Sequence, residues 1–414
     1  MEFKVLCPEY VKEFNCLGNS CKYNCCREWR MDVSNKEYEY YNALPSGEFK
    51  ERIMENLVKT KTGYCWKCSE TTGVCGLLNK DNLCEVYINL SPEEMPYICR
   101  AYPRRISLIK GDIEVALDLS CIEAVKLLFS HKEDLNFILT DFDLIEIEGK
   151  IKCEHIMENK ENNQDFYLYN HYEDLNSFCV KVLKYKKLPL DVRFMILGLF
   201  IQQIDSQPES IDLIIKEYEK EILNGGFDNI KNECSFKDVF VKQLKLSVNI
   251  VIIILQKYKA IVNNNFKIKK LLGDYLEQLR NFIDDYSAKT VESNFKIALE
   301  KYNQYMATNN YIIENYIVNE IFTRKFPFDL KSGYNSYINL IAHYLIIKSS
   351  LLVSFYHYKD DIKLDNIIDN IMLLHRLIIR GYGIENSIIE KQAINYLEKN
   401  NSLDLISLFE LILE

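Results

Sequence analysis

Residues 14–26 read Phe14-Asn-Cys16-Leu-Gly-Asn-Ser-Cys21-Lys-Tyr-Asn-Cys25-Cys26, and this run of closely spaced thiols decides how the first part of the chain can fold. Ligands that are a few residues apart can close around one metal from a short stretch of backbone. Thiolates favour zinc, or the iron of iron–sulfur clusters, because both are soft enough to prefer sulfur. The run therefore predicts a metal site held by cysteine.

Further cysteines extend this pattern to residue 121. Eleven of the 14 cysteines lie between residues 7 and 121, in a segment with little apolar periodicity. After the first run they are Cys65, Cys68, Cys75, Cys84, Cys99 and Cys121. A segment of this kind needs metal ligation to hold it together, so the cluster defines a domain. Scattered Cys153, Cys179 and Cys234 are predicted to be core thiols instead.

The spacing leaves the metal open. A structural zinc ion takes four ligands in a closed tetrahedron, and the cysteines here do not form two clean Cys-x-x-Cys pairs. Adjacent Cys25 and Cys26 point in different directions, so they can serve two metals or one larger cluster. A four-iron cluster uses three or four thiolates and leaves others for a second site or for redox chemistry. Zinc and iron–sulfur both fit.

The overall composition is that of a soluble globular protein. The chain has 414 residues, 48% hydrophobic and 27% charged, which is enough for one large or two ordinary domains. Its net charge of -9 argues against general nucleic-acid binding. The charged N-terminus predicts no signal peptide and hence a cytoplasmic location, where thiols stay reduced. Apolar residues 250–255 and 340–356 predict buried helices and no stable membrane insertion.

Periodicity divides the chain into two predicted domains, 1–125 and 126–414. We expect a mainly α fold: an irregular cysteine-rich metal-binding N-terminal domain with a short β-hairpin, followed by an all-α helical bundle. Residues 106–109 and 113–117 alternate around a Gly turn and predict the hairpin, and 137–147 suggest a further strand pair. A capping box is predicted at Ser206-Gln-Pro-Glu209. Apolar spacing predicts helices over 211–222, 239–255, 266–282, 311–322, 340–355 and 367–379.

The cysteine motifs together resemble the flagellin lysine-N-methylase family. The motifs are Cys-x4-Cys-x3-Cys-Cys-x2-Trp from Cys16, Cys-x2-Leu at Cys75, Cys-x-Val-Tyr at Cys84, Cys-x-x-Tyr-Pro-Arg at Cys99 and Leu-Ser-Cys at Cys121. The first part is also similar to a broader Cys-x-x-Cys-x-x-Cys-Cys family described as zinc- or iron-chelating. Residues 315–322 and 326–328 extend the resemblance to the flagellin lysine-N-methylases into the helical part.

The resemblance implies transfer of methyl groups from S-adenosylmethionine to lysine side chains on flagellin, with a four-iron (4Fe-4S) cluster in the N-terminal domain. Carried over by position, the family cysteines fall on Cys16, Cys21, Cys25, Cys26, Cys75, Cys84, Cys99 and Cys121. Cys65 and Cys68 are less secure in this mapping. Arg100 and Arg104 beside Cys99 are candidates to bind the cofactor carboxylate. Alternatively, these arginines and Arg105 bond to cluster sulfurs or pair with acids.

Two features of other enzymes that use this cofactor are missing from the sequence. There is no Gly-rich turn between a strand and a helix, and no Cys-x3-Cys-x2-Cys spacing. We therefore hypothesise that an open iron of the cluster holds the amino and carboxylate groups of S-adenosylmethionine. The sequence assigns no general base, and its six histidines show no paired metal spacing.

Two other functions stay open beside methyl transfer. In the first, zinc only stabilises the N-terminal domain and the helical part is a protein-binding module without catalysis. In the second, the thiolates sense oxidants or carry electrons. Bound iron together with S-adenosylmethionine binding would favour the methylase, whereas zinc alone would favour the binding module.

Overall fold

A computed structural model of the protein describes residues 2–26, 31–61, 63–69, 73–143, 146–147, 150–151, 155–157, 170–233, 236, 238–264, 269–283, 287–330, 332–376 and 388–413. Its strands lie in the first 157 residues. They are β1 Glu2–Pro8, β2 Asp32–Val33, β3 Leu57–Lys59, β4 Tyr64–Trp66, β5 Arg104–Ile109, β6 Asp112–Leu117, β7 Phe137–Asp143, β8 Glu146–Ile147, β9 Lys150–Ile151 and β10 His155–Met157.

The predicted hairpin is confirmed as the pair β5 and β6. These strands are antiparallel with Ile109 opposite Asp112, so that only Lys110 and Gly111 form the turn. Both turn residues have positive φ, 53° and 97°, as a two-residue type I′ turn requires. The hairpin lies within a five-stranded sheet of order β10-β5-β6-β1-β7. Strand β1 runs parallel to β6 and antiparallel to β7.

Helices make up most of the remaining chain, which confirms the mainly α fold. Five shorter helices belong to the first 130 residues, and the longer helices follow from residue 172. The helices are α1 Asn35–Asn42, α2 Glu48–Glu55, α3 Glu85–Asn89, α4 Tyr97–Ala101, α5 Ile122–Ser130, α6 Tyr172–Lys184, α7 Leu190–Ser206, α8 Ile211–Leu223, α9 Ile230–Glu233, α10 Val239–Asn264, α11 Lys269–Phe282, α12 Ala288–Asn309, α13 Tyr311–Arg324, α14 Gly333–Tyr358, α15 Leu364–Leu374, α16 Ile388–Lys399 and α17 Leu405–Ile412.

Helix α14 forms the centre of the bundle because it is apolar on nearly every side. It packs against α7, α10, α11, α12, α15, α16 and α17. Among the described residues, two segments are long and apolar enough to cross a membrane, Val239–Gln256 and Gly333–Asp361. The apolar 18-residue window of the second segment is entirely buried in the protein, and one third of the first is buried. The burial of α14 is that of the core helix of a bundle.

Two apolar cores hold the described residues together. The larger core joins Val5 and Val115 of the sheet, through Val125 of α5, to Phe194 and Ile341 of the bundle. The smaller core lies between the sheet β2-β4-β3 and the short helices, and contains Met31, Val33, Tyr41, Ile53, Trp66, Cys75, Leu77, Leu78 and Val86. The domain boundary between residues 125 and 126 stays a prediction.

Two local predictions were wrong, and three residues named in the sequence motifs or among the predicted core thiols lie outside the described residues. Strand β7 occupies part of residues 137–147, but its partner is β1 and not a neighbouring segment. Ser206 ends α7 and its hydroxyl donates to Gln203 O, so it does not cap the next helix. Pro208 instead opens a 3-10 turn that leads into α8. Trp29, Cys153 and Cys234 lie outside the described residues.

The close packing of α7 against α14 gives a stability prediction. A methyl group added at Gly198 of α7 would lie 2.7 Å from Tyr337 Cζ, whereas one added at Gly273 of α11 would meet nothing within 4 Å. We expect Gly198→Ala to lower the free energy of unfolding by about 1–3 kcal/mol through overpacking. Gly273→Ala should raise it by about 0.5–1 kcal/mol because alanine favours helix. Urea unfolding measures both, and a stabilised Gly198→Ala variant would contradict the close packing.

Candidate metal centre

One cavity of about 500 Å³ collects thiols from four separate segments of the chain. The loop that follows the first 3-10 turn supplies four of them, and the residues before α3, within α4 and before α5 supply one each. The cysteines that line it are Cys16, Cys21, Cys25, Cys26, Cys84, Cys99 and Cys121. The structure thus brings together seven of the eight cysteines predicted from the resemblance.

The eighth predicted cysteine lies directly behind this cavity. The Cys75 backbone N–H donates to Cys26 O at 3.0 Å, and the Cys75 side chain is buried in the smaller core. Cys68 faces Cys75 across an isolated β-bridge, and Cys65 lies in β4. Cys7 and Cys179 are buried in the larger core. For Cys179, this burial is what the prediction of a core thiol requires. Which of these cysteines bind a metal stays a prediction.

Burial makes these thiols difficult to ionise unless a positive charge is near. It raises the pKa of Cys75 and of Cys121 to about 12. The pKa of Cys99 is raised well above its ordinary value, first by burial and then by the neighbouring Cys84, Cys25 and Cys75. A bound metal would supply the missing charge, because thiolates are the metal-binding form of cysteine. The donor set therefore fits a cysteine-ligated metal or cluster.

The sulfurs at two helix starts also have partial support from the backbone. Amides of Glu123 and Ala124 act against the burial that raises the pKa of Cys121. Burial likewise raises the pKa of Cys84, and the amides of Val86 and Tyr87 act against it. Backbone N–H groups at the start of a helix favour negative charge. These two cysteines are thus placed where a thiolate is best tolerated.

The three arginines that follow Cys99 differ in what they contact. Arg105 Nη1 donates to Asp118 Oδ2 at 3.1 Å, so its charge is matched by an acid. Arg104 lines the cavity with its guanidinium 5.3 Å from the ring centre of Phe14. Arg100 also lines the cavity, and its buried Nε makes no hydrogen bond to the described part of the chain. Arg100 and Arg104 are therefore positioned to face a bound anion.

The far end of the chain holds the cysteine loop in place. Arg376 Nη2 donates to the carbonyl oxygens of Tyr23 at 3.1 Å and Asn24 at 3.4 Å. Asp369 of α15 accepts hydrogen bonds from Lys22 Nζ and Tyr23 Oη. No sequence motif predicted this contact, although Asp369 and Arg376 lie seven residues apart, a spacing that places charges on one face of a helix.

Arg376 also changes the electrostatics of the thiols. Its charge favours the thiolate forms of Cys21 and Cys25, against the burial that raises the pKa of Cys21. For Cys25, the pKa is raised first by a hydrogen bond with Cys26 and then by burial. A residue of the helical part therefore contributes to the charge balance of the cysteine cavity.

A second buried group of polar side chains connects α13, α14 and the end of α15. Ligand atoms of Glu320, His343 and His375 lie within 4.8 Å of one another, and all three residues are fully buried. Tyr316 Oη lies 2.5 Å from His343 Nε2 and 2.7 Å from His375 Nε2. Sequence spacing could not show this group, because its members come from three helices.

The geometry favours a hydrogen-bond network at this group over a metal ion. Arg324 Nη2 lies 2.7 Å from His343 Nδ1, and a guanidinium can only donate. His343 Nδ1 therefore accepts, and a neutral His343 carries its hydrogen on Nε2, facing Tyr316. The Tyr316 hydroxyl then donates to His375 Nε2. A metal on His343 Nε2 would displace the hydrogen there and move it to Nδ1, where it would face an N–H of Arg324, and this conflict between two donors opposes metal binding.

Comparisons with known proteins agree on one family. The family model of the FliB lysine N-methylase C-terminal domain matches residues 176–411. The lysine-N-methylase of Salmonella typhimurium is 19% identical over 425 aligned positions that cover 99% of each chain. The flagellar biosynthetic protein FliU of Salmonella muenchen is 26% identical over 126 residues, 30% of this chain and 75% of that protein. No solved structure matches.

The Tyr316 network gives a stability prediction. Replacing Tyr316 with Phe leaves His343 and His375 without their shared partner in a buried site. We expect the free energy of unfolding to fall by about 1–3 kcal/mol, measured by urea unfolding. Tyr311→Phe in the same helix is the control, since its hydroxyl makes no hydrogen bond to the residues described here. Equal losses in the two variants would argue against the network.

Proposed function

The chain belongs to the family of FliB lysine N-methylases, and from this premise we propose that it transfers methyl groups from S-adenosylmethionine to lysine side chains of flagellin. The relatives' names supply the reaction and the flagellar substrate. The cysteine-lined cavity is the observation that carries the cofactor part of the proposal, because it combines thiols with the guanidinium groups of Arg100 and Arg104 in one space.

We assign a 4Fe-4S cluster to this cavity. Its ligands are drawn from the seven lining cysteines and Cys75 behind them, which exceed the four thiolates that one structural zinc ion needs. When bound, such a cluster would supply an open iron to coordinate the amino and carboxylate groups of S-adenosylmethionine. Backbone amides at the starts of α3 and α5, together with Arg376, stabilise the thiolates around it.

Arg100 and Arg104 are proposed to hold the carboxylate of S-adenosylmethionine. Arginine pairs with carboxylates through two parallel hydrogen bonds, which fix orientation as well as charge. The Arg104 guanidinium lies 5.3 Å from the ring centre of Phe14 and 5.8 Å from that of Phe142, and these contacts help to hold it before a ligand arrives. The cavity volume of about 500 Å³ is within the range of sites for small cofactors.

The proposal places the reaction in the cytoplasm, where thiols are reduced. Flagellin is the proposed protein partner, and neither nucleic-acid binding nor stable membrane insertion is part of it. Zinc bound to the same cysteines, without methyl transfer, is the alternative outcome of the tests that follow.

The cluster assignment is tested by metal and acid-labile sulfide analysis on protein purified without oxygen. We expect iron with matching sulfide and a visible absorption band. Cys99→Ser should lower the iron content and the band, because Cys99 lines the cavity. Cys65→Ser is the matched control in β4, outside the cavity lining, and should leave both unchanged. Zinc alone, with no visible band, would refute the cluster and favour the protein-binding module.

The carboxylate assignment is tested by binding of S-adenosylmethionine to two arginine variants. Arg104→Gln removes the charge that faces the cavity, and we expect Kd to rise about 10- to 100-fold, as for loss of a charge-assisted pair. Arg105→Gln removes the same charge from the next residue of β5, where the guanidinium pairs with Asp118. It should change Kd by less than about threefold. Equal effects would contradict the assignment.

A further inference from the structure

A second cavity of about 620 Å³ lies on the other side of the cysteine loop. It is formed between that loop, α11, the end of α14, and α15. Its polar lining includes Tyr23, Asp274, Gln278, Tyr358, Asp369 and Asn370. Tyr23 lines both this cavity and the cysteine cavity.

The floor of this cavity is a connected set of buried hydrogen bonds. Asn370 Nδ2 donates to Ser354 Oγ at 2.9 Å, and Asn370 Oδ1 accepts from Ser350 Oγ at 2.9 Å. Gln278 Nε2 donates to Tyr358 Oη at 3.4 Å. Such buried polar groups are unfavourable unless they are bonded, and an apolar floor would pack as well. A polar floor therefore suits a polar ligand.

The charges around the opening favour a cation. Asp274 and Asp369 line the cavity, and Lys22 is the one cationic side chain among its described lining residues. The Lys22 ammonium shows which kind of group binds to the residues that line this cavity. Its Nζ lies 2.7 Å from Asp369 Oδ2 and 4.6 Å from the ring centre of Tyr23. A carboxylate beside an aromatic face is a favourable setting for an alkylammonium group.

From these contacts we infer that the second cavity binds the side-chain ammonium of the lysine that is to be methylated. The inference rests on the proposed lysine methylation and adds the place where the acceptor enters. Tyr23, which lines both cavities, would then lie next to the acceptor lysine and next to the cofactor. A metal ion is a poorer fit, because Asp274 and Asp369 belong to no described group of three ligand atoms within 4.8 Å.

Binding of two short peptides tests the inference without any need for turnover. One peptide carries a single central lysine and the other carries norleucine, which has the same alkyl chain without the ammonium group. On the wild-type protein we expect the lysine peptide to bind about tenfold more tightly. Asp274→Asn should remove most of this preference. Asp274 is exposed, so the variant should fold normally.

Asp365→Asn is the matched control, since Asp365 is an exposed carboxylate of α15 outside the cavity lining. It should keep the lysine preference. Tyr358→Phe keeps the ring and removes the hydroxyl that Gln278 contacts, and should lower the preference without abolishing it. Thermal unfolding of each variant confirms that it is folded.

The outcomes separate this inference from the proposed function. A wild-type protein that binds both peptides equally, or an Asp274→Asn variant that keeps the full lysine preference, would overturn the inference. These results leave methyl transfer to be judged by its own assay. Absence of methyl transfer from S-adenosylmethionine to flagellin would instead refute the proposed function, while the peptide preference would still decide whether the cavity binds an ammonium.

Discussion

The contact of Arg376 and Asp369 with residues 22–24 fixes where the cysteine loop lies, and the rest of the candidate site depends on it. The loop has no apolar periodicity of its own to hold it against a core. Arg376 bonds two of its carbonyl oxygens, and Asp369 accepts from two of its side chains. Because Arg376 also favours the thiolates of Cys21 and Cys25, the helical part sets both the position and the charge of the site.

The central helix extends this influence through a polar stripe on an otherwise apolar surface. His343, Ser350 and Ser354 of α14 are separated by seven and four residues, so they lie on one face of the helix. His343 joins the Tyr316 network, whereas both serines contact Asn370 beneath the second cavity. Since buried polar groups must find partners, this stripe restricts how α15 can pack and thereby places Asp369 and Arg376.

Local signals predicted much of the fold, and contacts between distant segments explain what they missed. The hairpin was visible because alternation and a Gly turn lie within twelve residues. The pairing of β1 with β6 and β7 was not visible, since it joins segments more than a hundred residues apart. Ser206 was misassigned because the capping pattern does not show that α7 already extends to that residue. The cysteines were found by spacing, and the cavity that unites them was not.

The second cavity had no signature in the sequence because its lining comes from distant segments of the chain. Its carboxylates come from α11 and α15, and its floor comes from α14, so no single stretch shows the pattern. Arg100 and Arg104 line the cysteine cavity, whereas Asp274 and Asp369 line the second cavity. Guanidinium groups attract a carboxylate, and carboxylates attract an ammonium group. Under the proposed function, the carboxylate of the methyl donor would go to the arginines and the ammonium of the acceptor lysine to the carboxylates. The ammonium must then lose its proton before its nitrogen takes the methyl group, and S-adenosylhomocysteine leaves.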